Sequence, residues 1–319
     1  SVSRKAVPVY FTLSEKNAVV TATGSRGSVA LKSGDSLDLT ALCEGMDDTI
    51  TLRARSGSMQ AEKRVTFLGY DNVSTMFLVS DDPVNEGREW VESSEDKSNR
   101  AKGSMALLAA DGESVYDGKL TQIKGRGNST WKGAKRPYQI KLDKKTDLLQ
   151  TGDSADKAKT WVLLANFYDP SAVRNMLALD LGRALQMECN MGYRPVCLFY
   201  DGEFRGLYLL TEKVEVNEGR VNVTDLEKAN EKANPDVDDL TKLESKTGTT
   251  ANGATYLYCD GMNDPADITG GYLLEMDFAD RAMEEKCYFI TARGFYVVVK
   301  SPEACSKAEM DYIASWYQD

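Results

Sequence analysis

The chain has 319 residues, of which 42% are hydrophobic and 28% are charged, and its formal net charge is −10. This composition is typical of soluble globular proteins, and the length is sufficient for two domains. The acidic balance argues against a nucleic-acid partner, because such a protein needs a basic face to neutralise phosphates. No apolar run approaches about 18 residues, so no membrane-spanning helix is predicted.

The chain contains no histidine. This excludes Ser-His-Asp and Cys-His catalysis, a histidine general base and zinc held by histidine. Chemistry in this chain would use carboxylates, Lys or Arg, hydroxyls, or a hard metal such as Mg²⁺ held by carboxylates. The six cysteines form no C-x-x-C motif, which disfavours a thiolate zinc site. Buried free thiols are the simplest interpretation, and a Cys189–Cys197 disulfide is the alternative.

Residues 1–70 predict a small all-β module. Short segments, most of them alternating between apolar and polar residues, are separated by glycines at close to the spacing of a small β-sandwich. We therefore predict an Ig-like accessory module with a spacing or docking role. The boundary is predicted at residues 70–72, and the second domain, residues 71–319, begins with a strand at 73–80.

A glycine-bracketed loop between two predicted strands is the most informative stretch of the second domain. The strands cover 116–123 and 137–143, and the loop reads Lys-Gly-Arg-Gly-Asn-Ser-Thr-Trp over 124–131. Two glycines allow the backbone to approach a ligand closely, and the loop amides beside Lys124 and Arg126 suit an anion. A polar hairpin turn is the alternative, because short glycine motifs are weak signals.

A helix is predicted over about 171–187. Asp169 is suited to the N-cap and Pro170 to the first helical position. Apolar residues recur at i, i+3 and i+4 spacing and are predicted to face the core. They are Val173, Met176, Leu177, Leu181, Ala184 and Leu185. Arg174 and Asn175, near the helix N-terminus, are candidates for binding an anion.

The remaining sequence alternates between strands and one long polar segment. Asp201-Gly202 between apolar runs at 195–200 and 204–214 predicts a β-hairpin. Residues 227–267 are acidic and poor in large apolar side chains, and they predict an inserted loop. Residues 270–278 predict a strand with Glu275 and Asp277 on one face. A strand at 295–300 and a helix from 306 follow.

Taken in order, these blocks resemble the CotH kinase family, the spore-coat CotH-like atypical protein kinases. The matching segments are residues 123–131, 136–143, 161–169, 174–175, 206–214 and 270–277. The likeness covers about residues 73–319. It implies an α+β, kinase-like two-lobed fold that binds ATP with a divalent metal such as Mg²⁺. It also implies transfer of phosphate to Ser or Thr of a protein.

The resemblance also implies roles for particular residues. Lys141 would pair the nucleotide phosphates, with an exposed strand lysine as the alternative, and Asp277 would bind the metal or cap a turn. Glu212 and Lys213 would lie where a strand and hinge meet the adenine ring, or would form a solvated pair. The positions implied to surround the phosphates are Lys124, Gly125, Arg126, Gly127, Asn128, Ser129, Trp131, Arg174 and Asn175.

One departure from the family pattern stands out. CotH-like proteins carry a later Trp-Asp-x-Asp block with the acids expected to bind metal and act as catalytic base, and this chain has no such block. The chain is therefore expected to be the N-terminal part of the family domain, from a secreted or cell-surface bacterial protein. The alternative function is a non-catalytic scaffold that binds a protein or glycan. A glycosidase that uses Glu275 and Asp277 is a weaker alternative, because the two carboxyls lie on one strand, whereas those of a glycosidase face each other across the glycosidic bond.

Overall fold

The computed structural model describes residues 7–9, 11–15, 17–44, 49–66, 73–152 and 156–317. The chain is predominantly β with few helices, which agrees with the α+β expectation in its coarse form. It divides into two compact units, Ser1–Glu212 and Lys213–Asp319. Within the described residues, no helix combines the length and the apolar character needed to cross a membrane.

The described residues between 7 and 66 form one larger and one smaller antiparallel sheet. The elements are β1 (Val7–Pro8), β2 (Val19–Gly24), β3 (Gly27–Leu31), β4 (Ser36–Leu37), α1 (Leu39–Leu42), β5 (Thr49–Ser56) and β6 (Met59–Thr66). The larger sheet has the order β3-β2-β5-β6, and β1 pairs with β4. Alternate residues of β2, Val20 and Ala22, are buried in a separate apolar cluster. The Ig-like topology stays a prediction, and the predicted boundary at residues 70–72 lies outside the described residues.

The rest of the first unit is a closed seven-stranded barrel. Its elements are β7 (Ser74–Ser80), α2 (Arg88–Ser93), β8 (Arg100–Leu108), β9 (Ser114–Gly125), β10 (Tyr138–Thr146), β11 (Ala158–Leu164), α3 (Arg174–Ala184), β12 (Tyr193–Tyr200) and β13 (Glu203–Glu212). The strand order is β10-β11-β13-β12-β7-β8-β9. The β12–β7 pair is parallel and all the other pairs are antiparallel.

The barrel interior follows from the period-two pattern of its strands. On β10, Tyr138, Ile140 and Leu142 are buried, whereas the intervening side chains lie on the outer face. The predicted hairpin between β12 and β13 is confirmed, since Asp201 and Gly202 have φ of 49° and 80°. Both central residues of a tight hairpin turn need this left-handed conformation. The two residue types at the turn therefore suffice to place it from sequence.

Helix α3 is present, but its predicted burial is wrong. Leu177, Leu181 and Leu185 are 68%, 57% and 65% exposed, so the apolar face of the helix is not packed within the first unit. The helix also begins later than predicted, because Ala172 has a φ of 57° and interrupts the helical turn. Asp169 still accepts a hydrogen bond from the Arg174 amide at 2.9 Å. The apolar periodicity predicted the helix, but it could not predict whether another segment covers the apolar face of that helix.

The second unit contains a mixed helix and sheet structure. Its elements are α4 (Leu226–Ala233), β14 (Ser245–Thr249), β15 (Thr255–Cys259), β16 (Leu273–Asp277), α5 (Ala279–Ala282), β17 (Tyr288–Ile290), β18 (Tyr296–Ser301) and α6 (Lys307–Trp316). The sheet has the order β14-β15-β17-β18-β16. The prediction of a loop over 227–267 is wrong, because most of α4 and all of β14 and β15 lie there. Strand β14 is polar and carries little apolar signal, whereas β15 is short but mostly apolar, and its Tyr256 and Cys259 are buried.

The six cysteines are free thiols, so the alternative of a Cys189–Cys197 disulfide is wrong. Cys189 is exposed after α3, and Cys197 is buried in β12. Burial raises the pKa of the Cys197 thiol. A neutral, buried thiol packs as a small apolar side chain, which agrees with the simpler interpretation.

Candidate functional site

The glycine loop has a packing function in the structure. A Cβ atom at Gly125 would lie 2.3 Å from the Trp131 ring, and Gly127 has a φ of 84°. Gly125 therefore lets Trp131 pack directly against the backbone, and Gly127 supplies a left-handed turn. These requirements account for both glycines, and the phosphate-binding role expected from the motif stays a prediction.

Trp131 is a core residue. Its side chain is 3% exposed and belongs to the apolar cluster of the barrel. The indole Nε1–H donates a hydrogen bond to the Ser94 carbonyl at 2.9 Å, and the Arg136 guanidinium lies 4.7 Å from the ring centroid. This burial does not fit the ligand contact that the family resemblance implied. Trp131 instead attaches the loop to the barrel.

A pocket of about 260 Å³ opens beside the loop. It brings together three of the predicted anion-binding residues, Arg126, Arg174 and Asn175, which come from the loop and from the start of α3. The other lining residues are Thr130, Pro137, Leu164, Ala165, Asn166, Phe167, Tyr168 and Asp169. We call this site the Arg126 pocket. It lies entirely within the first unit.

Arg126 is the central charge of the Arg126 pocket. Its side chain is partly buried, and burial lowers the pKa of its guanidinium. Among the described residues, no oxygen accepts a hydrogen bond from this guanidinium and no carboxylate forms an ion pair with it. Its backbone N–H donates to the Pro137 carbonyl at 3.2 Å, which holds the loop beside β10. A partly desolvated cation without a counter-charge favours an anionic ligand.

The start of α3 forms the rim of the Arg126 pocket. The Arg174 side chain is 79% exposed, and its Nε lies 3.7 Å from Asp169 Oδ1. The hydrogen bonds from the Ser171 hydroxyl and the Arg174 amide hold the pKa of Asp169 below its ordinary value. Asn175 donates from Nδ2 to Asn166 Oδ1 at 2.7 Å. The Asp169 carboxylate thus accepts hydrogen bonds from its own turn, and Arg174 provides an exposed positive charge at the rim.

Two aromatic residues on the wall of the Arg126 pocket were missed in the sequence. Phe167 and Tyr168 are both exposed, and their ring centroids lie 5.1 Å apart at an interplanar angle of 74°. The Tyr168 hydroxyl donates to the Ser129 carbonyl at 3.2 Å, which joins this wall to the glycine loop. The sequence signal that could have identified them is an aromatic pair immediately after a buried strand, where side chains are no longer packed in the core.

The other loop residues lie outside the Arg126 pocket. Lys124 is on the outer face of β9, and Asn128 and Ser129 are exposed. Lys97 donates a hydrogen bond from Nζ to the Gly127 carbonyl at 3.1 Å. The roles expected for Lys124, Asn128 and Ser129 in phosphate binding stay predictions.

Lys141 lies on the exposed outer face of β10, between the buried residues Ile140 and Leu142. It does not line the Arg126 pocket. Pro137, which does, is four residues away, or roughly 13 Å along a strand at about 3.3 Å per residue. The structure therefore separates Lys141 from Arg126, and its catalytic role stays a prediction.

The implied adenine-binding strand is also placed differently from a kinase hinge. Strand β13 is hydrogen-bonded to β11 on one side and to β12 on the other, so residues 209–211 have no free backbone edge for a base. Glu212 is buried and accepts a hydrogen bond from the Gly192 amide at 2.7 Å. Lys213, at the start of the second unit, pairs with Glu215 at 3.4 Å. These contacts do not fit the expected base contact.

Asp277 lies at the end of β16 in the second unit, and its Oδ1 accepts a hydrogen bond from the Phe278 amide at 2.8 Å. This contact corresponds to the turn cap that was the alternative to a metal ligand. Over the part of the chain that the structure describes, no group of three or more carboxylate or thiol side chains could hold a metal ion. Because Mg²⁺ beside a nucleotide is usually held by one or two carboxylates together with phosphates and waters, the Mg²⁺ site and the metal-binding role of Asp277 stay predictions.

Comparison with known families bears directly on the segment that carries the pocket. Residues 123–258 match the family model described as CotH kinase protein. The match begins two residues before Gly125 and includes the glycine loop and all the residues of the Arg126 pocket. No curated protein matches the chain. The match confirms the resemblance drawn from the sequence blocks over residues 123–258, which are similar to the CotH kinase family.

Proposed function

We propose that the Arg126 pocket binds the phosphate groups of ATP, and that this binding serves a kinase-like transfer of phosphate to Ser or Thr of a secreted or surface protein. The observation that carries the proposal is the convergence of Arg126, Arg174 and Asn175 on one pocket within the family-matched segment. These residues are separated by almost 50 positions in the sequence, and only the fold brings them together.

The charge arrangement supports an anion as the ligand. Arg126 is partly buried without a counter-charge among the described residues, and Arg174 extends a second guanidinium at the rim. A planar guanidinium donates paired hydrogen bonds that match phosphate geometry. The carboxylate of Asp169 does not cancel this attraction fully, because Ser171 and the Arg174 amide already occupy its oxygens.

The size of the pocket supports a phosphate chain with the base outside it. Its volume of about 260 Å³ is near the lower end of the roughly 300–1,000 Å³ typical of small-molecule pockets. The exposed rings of Phe167 and Tyr168 provide a surface on which a base stacks. We therefore place the phosphates beside Arg126 and the base against the aromatic wall.

ATP, when bound, supplies the phosphoryl group for transfer. Arg126 would orient the phosphates and stabilise the negative charge that develops on them during transfer. We derive no step through a metal, and we assign no catalytic base.

The second candidate function is a non-catalytic scaffold or binding module. The exposed leucines of α3 favour it, because an uncovered apolar face on a helix is typical of surfaces that bind a partner. The two candidates differ in whether the chain binds ATP.

The test is a calorimetric titration of ATP, with and without Mg²⁺, into the chain and three variants. Arg126→Gln should weaken binding at least about 10-fold, the loss expected for one charge-assisted contact to phosphate. Arg183→Gln is the matched control, because Arg183 lies on α3 and pairs with Asp180 at 2.9 Å outside the pocket. It should change the affinity by less than about twofold.

Lys141→Gln distinguishes the pocket from the site implied by the family resemblance. We expect its affinity to stay within about twofold of the parent chain, because Lys141 does not line the pocket. Loss of binding in Lys141→Gln, with Arg126→Gln unchanged, would move the phosphate site to the outer face of β10. Absence of binding in the parent chain would leave the scaffold as the better proposal.

A further inference from the structure

Three of the six cysteines converge in the interior of the second unit. Cys259 ends β15, Cys287 precedes β17 and Cys305 precedes α6, and all three are buried. The Sγ atoms of Cys259 and Cys287 are 3.9 Å apart. The Cys305 amide donates a hydrogen bond to Cys287 Sγ at 3.3 Å. The cluster is therefore centred on Cys287.

The backbone around the cluster is held by hydrogen bonds on all three segments. The Cys259 amide donates to the Cys305 carbonyl at 2.8 Å, and the Val299 amide donates to the Cys287 carbonyl at 3.0 Å. Strands β15 and β17 pair through Tyr256 and Phe289. Because these segments are fixed, Cys259 and Cys287 stay in contact, and rotation about χ1 is the motion left to bring the sulfurs to a bond of about 2.05 Å.

A thiolate metal site does not explain the cluster. Structural zinc requires four ligands in tetrahedral geometry. Within the described residues, no grouping of three or more ligating side chains suits a metal. Apolar packing alone requires only small side chains and does not require two sulfurs in contact. The remaining chemistry of adjacent thiols is oxidation.

We propose that Cys259 and Cys287 are a disulfide site, oxidised as the second unit folds, and that Cys305 remains a free thiol. The oxidant is a disulfide compound, either a small molecule of the glutathione type or a protein disulfide. The bond would join β15 to the segment before β17 and close a loop over the sheet. This proposal is independent of ATP binding, which involves only the first unit.

The reaction proceeds by two thiol–disulfide exchanges. The Cys287 thiolate attacks one sulfur of the oxidant, forms a mixed disulfide and releases the first thiol of the oxidant. The Cys259 thiolate then attacks the Cys287 sulfur and releases the second thiol. The two protons lost by the protein thiols are taken up by the two released thiolates. The protein loses two electrons and the oxidant gains them.

The timing follows from burial of the cluster. The hydrogen bond with Cys287, together with burial, raises the pKa of Cys259. Burial also raises the pKa of Cys305. Only the thiolate attacks a disulfide, and the folded unit excludes the oxidant, so oxidation of the native protein is slow. Oxidation during folding is fast, because the cysteines are then exposed.

The experiment is oxidative refolding of the full chain in a Cys189→Ser background, which removes the exposed thiol. The reduced, unfolded chain is refolded with reduced and oxidised glutathione, alkylated with N-ethylmaleimide and digested without reduction. Mass spectrometry should find a cross-linked peptide that contains Cys259 and Cys287, with Cys305 alkylated. Cys305→Ser should keep this cross-link, and Cys287→Ala should abolish it. The oxidised protein should unfold at a temperature at least about 5 °C higher than the reduced one.

Two results would overturn the proposal. One is a chain that refolds with all three thiols alkylated. The other is a dominant cross-link between Cys305 and either neighbour. If refolding gives no folded protein, the same peptide mapping is done on protein produced in an oxidising compartment, where absence of the Cys259–Cys287 cross-link has the same meaning.

Discussion

Helices α3 and α6 both carry apolar side chains at i, i+3 and i+4 spacing, but the burial of those side chains is opposite. In α6, Met310, Ile313 and Ala314 are buried in the core of the second unit. In α3, Leu177 and Leu181 are exposed, and the one buried residue is Gly182. The comparison teaches that a period of 3.6 residues predicts a helix and an apolar face. Whether that face is covered depends on segments elsewhere in the chain.

The N-termini of the two helices also differ, because side chains cap the start of α6 and no side chain caps α3 at its N-cap residue. Ser306 and Glu309 form a complete capping box at α6, in which each side chain accepts a hydrogen bond from the backbone amide of the other residue. Helix α3 has no side-chain cap at Val173, and Asp169 reaches its first amide from a turn outside the helix. The buried helix is therefore also the one with the more regular local structure.

The largest effect expected from this comparison is on core packing. Met310→Ala should destabilise the second unit by about 2–5 kcal/mol, because it leaves a cavity in a packed core. Leu177→Ala, the matched substitution on α3, should cost less than about 0.5 kcal/mol, since its side chain is exposed. Urea unfolding followed by circular dichroism, with hydrogen exchange of each helix, measures both. A cost of 2 kcal/mol or more for Leu177→Ala would mean that the face of α3 is covered in solution.

A smaller effect is expected at the helix caps. Ser306→Ala should destabilise α6 by about 1 kcal/mol, because the buried Glu309 amide loses its hydrogen-bond acceptor, the Ser306 hydroxyl. Ser171→Ala is the control, since Ser171 precedes α3 and is exposed. It should change the protection of the α3 amides less than Ser306→Ala changes that of α6. Hydrogen exchange resolved by residue measures the two helices in one sample, and equal losses would contradict the difference in capping.

The third effect is a pH dependence that originates in α6. Glu309 is fully buried, its Oε2 accepts hydrogen bonds from the Ser306 amide and Asn230 Nδ2, and Oε1 has no partner among the described residues. Burial raises the pKa of this carboxyl above 4.5. The folded state then holds the proton more tightly than the unfolded state. The free energy of unfolding therefore falls as pH rises above 4.5, by at most about 1.4 kcal/mol per pH unit.

Glu309→Gln should flatten this slope, because an amide keeps the acceptor for Ser306 and does not titrate. The measurement is the free energy of unfolding at several pH values between about 4.5 and 8 for both proteins. A slope unchanged in Glu309→Gln would assign the pH dependence to another group. Asp311→Asn on the same helix serves as the control substitution.

Local signals were sufficient for much of the secondary structure. The strands around the glycine loop, the Asp201-Gly202 hairpin and the beginning of α6 were predicted, because each depends on alternation, turn residues or a cap within a few positions. Strands β14 and β15 were missed, since the segment that holds them is polar. Tyr256 is buried because it packs in one apolar cluster with residues of α6, such as Met310 and Ile313, which are distant in the sequence.

The candidate site was predicted only in part. Arg126, Arg174 and Asn175 could be selected by residue type and position. Their convergence on one pocket could not be predicted, because it depends on how the β9–β10 loop meets α3. Gly125 and Trp131 were interpreted as ligand-binding residues, whereas they pack against each other. A glycine motif has the same sequence whether it accommodates a ligand or a tryptophan.

The sequence by itself determined the resemblance to the CotH kinase family, the absence of histidine chemistry, the hairpin and the positions of most strands of the barrel, because these depend on residue identity and short-range pattern. The tertiary structure decided which apolar face is covered, which cysteines touch and which charge has no partner among the residues that the structure describes. Burial and long-range contact depend on the closing of the barrel and on the pairing of distant strands. Those are properties of the whole chain, and no short segment determines them.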